Sequence, residues 1–183
     1  MTPTTAAIPT QRRAPYADWR PPIVGVALLI PVGTDCLAVA DLRGMLMLPV
    51  GDVRVGQSPE EAAQRVLASR EGLPILRRVV VDRVQTRRRK VITHVLASAL
   101  MTSAAVDGLA YRDPRANVRV MPTYQFIGEV RPEARLRILV ALQALATGTT
   151  ACIEGGAVRD GSPPLSNTAA QSSPWTPPDL PST

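Results

Sequence analysis

Apolar and polar positions along the chain first fall into short runs of strand length. Ile23 to Pro31 and Cys36 to Asp41 are two such runs joined by the turn residues "VGTD", and a third, "MLMLP", follows a turn at Arg43 and Gly44 and ends at Pro49. The period then changes. "SPEEAAQRVLASREGL" opens with Ser58 as an N-cap, Pro59 at the first helical position and Glu61 three residues after Ser58, a capping-box arrangement. It closes at Gly72, with Pro74 barring continuation, so a helix is predicted from Ser58 to Gly72. "ILRRVVVDRV" and "KVITHVLASAL" flank "QTRRR" and predict a long hairpin. A loop around "DGLAYRDPRAN" leads to one or two strands in "VRVMPTYQFIGEV". A closing helix, Pro132 to Ala146, carries Leu136, Leu139, Val140, Leu142 and Leu145 on an apolar stripe. The order predicts an α/β protein with a mixed sheet flanked by helices.

Composition sets the limits of that body. A chain of 183 residues suits one domain with a real core. Residues 1–21 hold four Pro and four Thr, and 21 of the 38 residues from 146 onward are Pro, Thr, Ser or Gly, so neither end can bury enough to offset its ordering entropy. The expected organisation is a flexible arm over 1–21, a domain over 22–146 and a disordered tail over 147–183. "PWTPPDLP" in that tail reads as passive chain before it reads as a polyproline docking ligand. Only 3% of the residues are aromatic, which disfavours a single-strand binder that stacks bases. Cys36 and Cys152, the only cysteines, are too few for a disulfide framework or zinc site. The longest apolar run, Ile23 to Val32, is about half the ~20 residues a membrane span needs, and the N-terminus lacks a secretory pattern. A cytoplasmic protein with no membrane partner is expected.

The stretch "LPVGDVRVGQSPEEAAQRVLASREGL" resembles the box of the Nudix hydrolase family: Gly, five residues, Glu, seven residues, then Arg-Glu-apolar-any-Glu-Glu-any-Gly-apolar. From Gly51 the fixed positions fall without a gap on Gly51, Gln57, Arg65, Val66, Leu67, Ser69, Arg70, Gly72 and Leu73. Gly51, Arg65, Leu67, Gly72 and Leu73 agree, and none of the four glutamates is present. The resemblance extends over Ile23 to Ala146 by element order. It implies a Nudix-like fold, and in the family a magnesium- or manganese-dependent hydrolysis of nucleoside diphosphate derivatives.

The missing acids bear on that chemistry directly. On one helix, positions 66, 69, 70 and 73 would share a face, and glutamates at the first three would converge oxygens on a hard dication that activates water. Val66 offers no ligand atom, Ser69 a weak one, and Arg70 a competing cation, so no metal ligand set is expected from the box. Glu129, where the resemblance places an accessory carboxylate in some relatives, and Asp52 in the loop are the only candidate catalytic acids. Glu60 and Glu61 are explained by helix capping and the helix dipole. Gly51, Arg65 and Arg70 are candidate ligand-binding residues, the two arginines presenting positive charge to a phosphate that is bound and never cut. For Arg65 an i,i+4 contact with Glu61 is the simpler expectation.

Charge adds a second feature. Arg77, Arg78, Arg83, Arg87, Arg88, Arg89 and Lys90 place seven cations in 14 positions against Asp82 alone, a patch suited to nucleic acid or an acidic partner. Twenty of the 21 basic residues are Arg, a bias that fits a high-GC, actinobacterial type of genome and inflates arginine everywhere. His94, without a neighbouring acid or nucleophile in sequence, reads as a packed strand residue. Three readings stand at this point: a non-hydrolysing nucleotide- or diphosphate-binding or regulatory module needing no cofactor, an active Nudix hydrolase using magnesium or manganese ligands outside the box, and a basic interaction module. Each allows a homo-oligomer.

Overall fold

The computed structural model describes residues 20–69 and 72–159. Strand β1 (Ile23–Leu29) is followed by the hairpin of β2 (Pro31–Val32) and β3 (Cys36–Leu42), turned at the expected "VGTD". Arg43 and Gly44, at φ 54° and 86°, then turn the chain into β4 (Met45–Met47), with the Gly44 amide donating to Asp41 Oδ1 at 2.7 Å. Next come β5 (Val50–Asp52), α1 (Pro59–Gln64), β6 (Leu67–Ala68), β7 (Ile75–Gln85) and β8 (Lys90–Ser98). The remaining elements are α2 (Ser103–Asp107), β9 (Ala110–Tyr111), β10 (Ala116–Pro122), α3 (Thr123–Glu129), α4 (Pro132–Thr147), β11 (Ala151–Glu154) and β12 (Ala157–Arg159).

A six-stranded mixed sheet runs β12-β11-β7-β8-β1-β5, with β1 parallel to β8 and β11 parallel to β7. A second sheet pairs β10, β3 and β2, with β4 also on β3, and β6 pairs with β9. Strand β1 shows why the fold is layered. Ala27 and Leu29 point into one core with Phe126, Ile138 and Ala141 of α3 and α4, while Val26 and Leu28 point into another with Ala62 and Ala63 of α1 and Val106 of α2. A near-continuous apolar strand of this kind is what a sheet covered on both faces requires. Burying such side chains at roughly 1.5–3 kcal/mol each is the main force holding the layers together.

The expected α/β architecture of a mixed sheet flanked by helices is present, and several local expectations are corrected. The helix predicted to Gly72 ends at Gln64, with Arg65 as its C-cap. Past that point the Gln64 side-chain amide bonds both backbone groups of Leu73, and Leu67–Ala68 pairs with Ala110–Tyr111. Tertiary pairing thus overrides a helical propensity already weakened by β-branched Val66. The second of the strands expected in "VRVMPTYQFIGEV" is the helix α3. Tyr124 and Phe126 would share one face of a strand, whereas on a helix they diverge, leaving Phe126 fully buried and Tyr124 78% exposed. On α4 the buried residues are Ile138, Val140, Ala141 and Ala144, and Leu139 faces solvent. The loop expected around "DGLAYRDPRAN" holds the short strand β9 and is preceded by α2.

The tail boundary at 147 is also corrected. Within that Thr- and Gly-rich stretch, the short run Ala151 to Ile153 supplies a strand, and Ile153 is 2% exposed beside β7. Residues 1–19 and 160–183, on which the flexible arm and the rest of the tail were expected, lie outside the described residues, as does Arg70. Among the described residues no helix is long and apolar enough to cross a membrane.

Candidate ligand site

Strand β5 and the loop following β9 face each other across a cleft of about 400 Å³, within the usual range for small-molecule sites. Val50, Gly51 and Asp52 form one wall, and Tyr111, Arg112, Asp113 and Arg115 form the other. The walls are tied together. The Tyr111 hydroxyl donates to the Val50 carbonyl at 2.7 Å and accepts from the Val50 amide at 3.2 Å. Arg112 Nη1 reaches Asp52 Oδ1 at 2.7 Å, and Arg115 holds Asp113 through Nε at 2.9 Å and Nη2 at 2.7 Å.

These pairs set the protonation of the cleft. The hydrogen bond from Arg112, then a backbone hydrogen bond, with attraction from Arg112 and Arg65 added, hold the Asp52 carboxyl below its ordinary range. Arg115 does the same to Asp113 more strongly, through its side chain and then its amide, and brings it down to about 2. Both acids are ionised at neutral pH, each committed to an arginine.

Arg65 lies beneath the same wall. Its Nη2 donates to Gln57 Oε1 and makes a long contact, 3.5 Å, to the Asp52 carbonyl. The expected pairing with Glu61 is not formed, because the Glu61 carboxylate closes the capping box by accepting from the Ser58 amide at 2.9 Å. Arg65 has no salt bridge among the described residues, and its Nε is buried without a hydrogen-bond partner. Gln57 stands where the box has its first glutamate, so a neutral amide meets the guanidinium that a carboxylate would neutralise.

Val66, where the box has a glutamate, is turned away from the cleft. Val66 is 2% exposed and packs on Gly51, where an added β-carbon would lie 2.8 Å from Val66 Cγ2. Since α1 ends before it, residues 66 and 69 do not extend a helical face at all, and the shared face drawn from the spacing is corrected. Glu129 is not beside Asp52 in this cleft. It ends α3, on the side of α4 and β10, exposed and accepting from Gln125 Nε2 at 2.8 Å. Among the described residues no group of three or more His, Cys, Asp or Glu could hold a metal ion. With Val66 buried, Gln57 neutral, and Asp52 and Asp113 each paired with arginine, these residues do not fit a hard dication.

The basic run divides. Arg77 Nη2 donates to the Ala144 and Leu145 carbonyls at 2.8 and 3.0 Å, capping the C-terminus of α4, where Gly148 at φ 73° ends the helix. Arg78 bridges to Glu60 of α1 at 2.6 Å, and Arg83 Nη1 lies 3.1 Å from Cys152 Sγ. Arg87 and Arg88 are exposed at the hairpin tip, with Arg89 and Lys90 beside them. His94 shares the sheet face of Arg78. Burial foremost, then repulsion from Arg78 and Arg83, lowers its pKa against the opposing pull of Glu60.

Tyr111, Arg112, Asp113 and Arg115 had no motif to single them out. The one signal was a loop, "YRDPR", in which opposite charges alternate around a proline. No family model and no curated protein matches the chain by sequence. Solved structures do. The ORF135 protein of E. coli superposes with a TM-score of 0.54 at 15% identity, covering 74% of this chain and 97% of that one. A MutT protein from Methanosarcina mazei Go1 gives 0.51 at 14% identity, covering 70% and 96%. A C. elegans Ap4A hydrolase gives 0.52 at 14% identity, covering 69% and 98%. These are Nudix-type structures, and the fold of this chain is Nudix-like.

Proposed function

We propose that this Nudix-like protein binds a nucleotide-like, diphosphate-bearing ligand in the cleft between β5 and the 111–115 loop, and does not hydrolyse it. The observation that carries the reading is Arg65, a partly buried guanidinium without a salt bridge among the described residues, with Nε lacking an acceptor, whose Nη2 reaches the Asp52 carbonyl at 3.5 Å behind the wall of a cleft bordered by Arg112 and Arg115. A buried donor without a partner costs roughly 1–3 kcal/mol, and an anion in the cleft would offset part of that by supplying the counter-charge the guanidinium lacks. Phosphate oxygens match guanidinium forks well. Arg112 can turn to them by exchanging an exposed ion pair of little strength, since Asp52 and Arg112 side chains are 59% and 60% exposed.

The reading is tested with pyrophosphate and ADP in the presence of chelator. A bound ligand at a hundredfold excess over Kd should stabilise the protein by about 2.7 kcal/mol, read as a rise in Tm. Arg65→Gln should abolish the rise. Metal-dependent release of phosphate from nucleoside diphosphate derivatives, reduced by Asp52→Asn or Glu129→Gln, would overturn it in favour of hydrolysis.

A further inference from the structure

The tip of the β7–β8 hairpin has been left without an internal role. Arg77 and Arg78 are committed to α4 and α1, and Asp82, the hairpin's only acid, is buried and bound to Arg137 of α4 at 2.5 Å. Beyond them the hairpin outruns both its neighbours. Strand β11 pairs with β7 only as far as Arg83, and β1 pairs with β8 only from Val91 on. Val84 to Lys90 therefore project past the sheet. Arg87, Arg88, Arg89 and Lys90 sit in that overhang, and no salt bridge among the described residues engages them.

The overhang is also held in shape. The Thr86 amide donates to the Arg89 carbonyl at 2.9 Å, the Thr86 hydroxyl donates to the same carbonyl at 2.6 Å, and the Arg89 amide donates back to that hydroxyl at 3.2 Å. The turn that displays the cations is thus closed twice over. A further cation joins them across the chain: the Arg20 amide donates to the Arg88 carbonyl at 3.3 Å, bringing exposed Arg20 to the tip from a residue 68 positions away in sequence.

We infer that this hairpin tip is a docking surface for the phosphate backbone of duplex nucleic acid, with Arg20, Arg87, Arg88, Arg89 and Lys90 as the contacts. A two-stranded ribbon is narrow enough for a duplex groove, and a preorganised run of cations follows a line of phosphates. The overhang, Val84 to Lys90, contains no aromatic residue, so the stacking that single strands require is absent and the backbone of a duplex is the fitting partner. The surface is separate from the cleft at β5 and does not depend on what binds there.

The experiment measures the affinity of the full chain for short DNA and RNA duplexes as a function of salt. Five phosphate contacts predict a slope of about −4.5 in log affinity against log salt, a loss of about 500-fold between roughly 50 and 200 mM. Arg87→Gln with Arg88→Gln removes two contacts and should reduce the slope to about −2.7, a loss of about 40-fold over the same range. Arg43→Asn with Arg131→Gln removes the same charge elsewhere and should leave the slope unchanged. Binding to either duplex with this pattern supports the inference, and the ratio between duplexes identifies the nucleic acid. Equal effects of the two double variants would overturn it, since net charge alone would then be at work. So would absence of duplex binding at about 50 mM salt. Tip-dependent binding to phosphatidylserine vesicles in preference to duplex would overturn it in favour of a lipid surface.

Discussion

Val66 seals Gly51. The valine methyl Cγ2 would stand 2.8 Å from a β-carbon placed on that glycine, closer than real contacts allow, and Gly51 is part of the candidate cleft wall. Glycine is needed here for space, at a backbone position that imposes no positive φ. Gly51→Ala should destabilise the protein by about 1–3 kcal/mol in denaturant unfolding, as overpacking does. Adding Val66→Ala should recover part of that loss, so that the double variant is less destabilised than the two single variants summed.

Restoring a box glutamate should not restore a metal site. Val66→Glu would place a carboxylate in a position 2% exposed, among Val26, Ala62 and Ala63. The expected result is a stability loss of about 3 kcal/mol or more, with no shift of Tm on adding manganese. A manganese-dependent rise would show that the residue swings into the cleft and binds.

Asp52 competes with any anion for Arg112. Asp52→Asn should therefore tighten pyrophosphate binding by about two- to fivefold, the scale set by an exposed ion pair. Isothermal titration in chelator reads the change. Weaker binding would place the carboxylate on the ligand's side.

Buried Asp82 pairs with partly buried Arg137, and Asp82 Oδ1 has no partner among the described residues. Removing the arginine strands the charge: Arg137→Met should cost about 3–5 kcal/mol. Asp82→Leu with Arg137→Met should cost much less, because two apolar side chains replace two charges. Chemical denaturation of the three variants decides between these outcomes.

His94 gives stability a pH dependence of definite sign. Its pKa in the folded protein lies below the ordinary 6.5, so the unfolded chain binds the proton first as pH falls. The folded state keeps its full advantage above that ordinary value and loses it as pH drops through 6.5 toward the depressed value. Tm should fall between about pH 7.5 and pH 5.5, and His94→Gln should flatten that part of the curve.

The sheet was legible because its signal is local. Runs such as Ile23 to Leu29 and Lys90 to Ser98 are apolar over strand lengths, and turn residues punctuate them. The capping box at Ser58 and Glu61 was equally plain, since it rests on side chains three residues apart. The end of that helix was not, because it depends on Leu67–Ala68 meeting Ala110–Tyr111, a contact across more than forty residues. The same reason hid half of the cleft. Tyr111 and Arg112 acquire their roles only when β9 is brought beside β5, and the reading of Arg77 and Arg78 as part of a basic patch gives way because α4 and α1 arrive to claim them.

Tyr111 has an effect beyond the cleft. Strand β5 ends the six-stranded sheet on one side, and an end strand offers its free backbone groups to any extended chain that passes. The tyrosine hydroxyl occupies both the amide and the carbonyl of Val50, performing for one residue what a neighbouring strand would do. At the opposite end β12 is exposed along its length, with Val158 47% accessible. The two rims of the sheet are thus unequal. Should copies of this chain ever zip together strand to strand, growth would begin at β12, and Tyr111→Phe would open a second starting point.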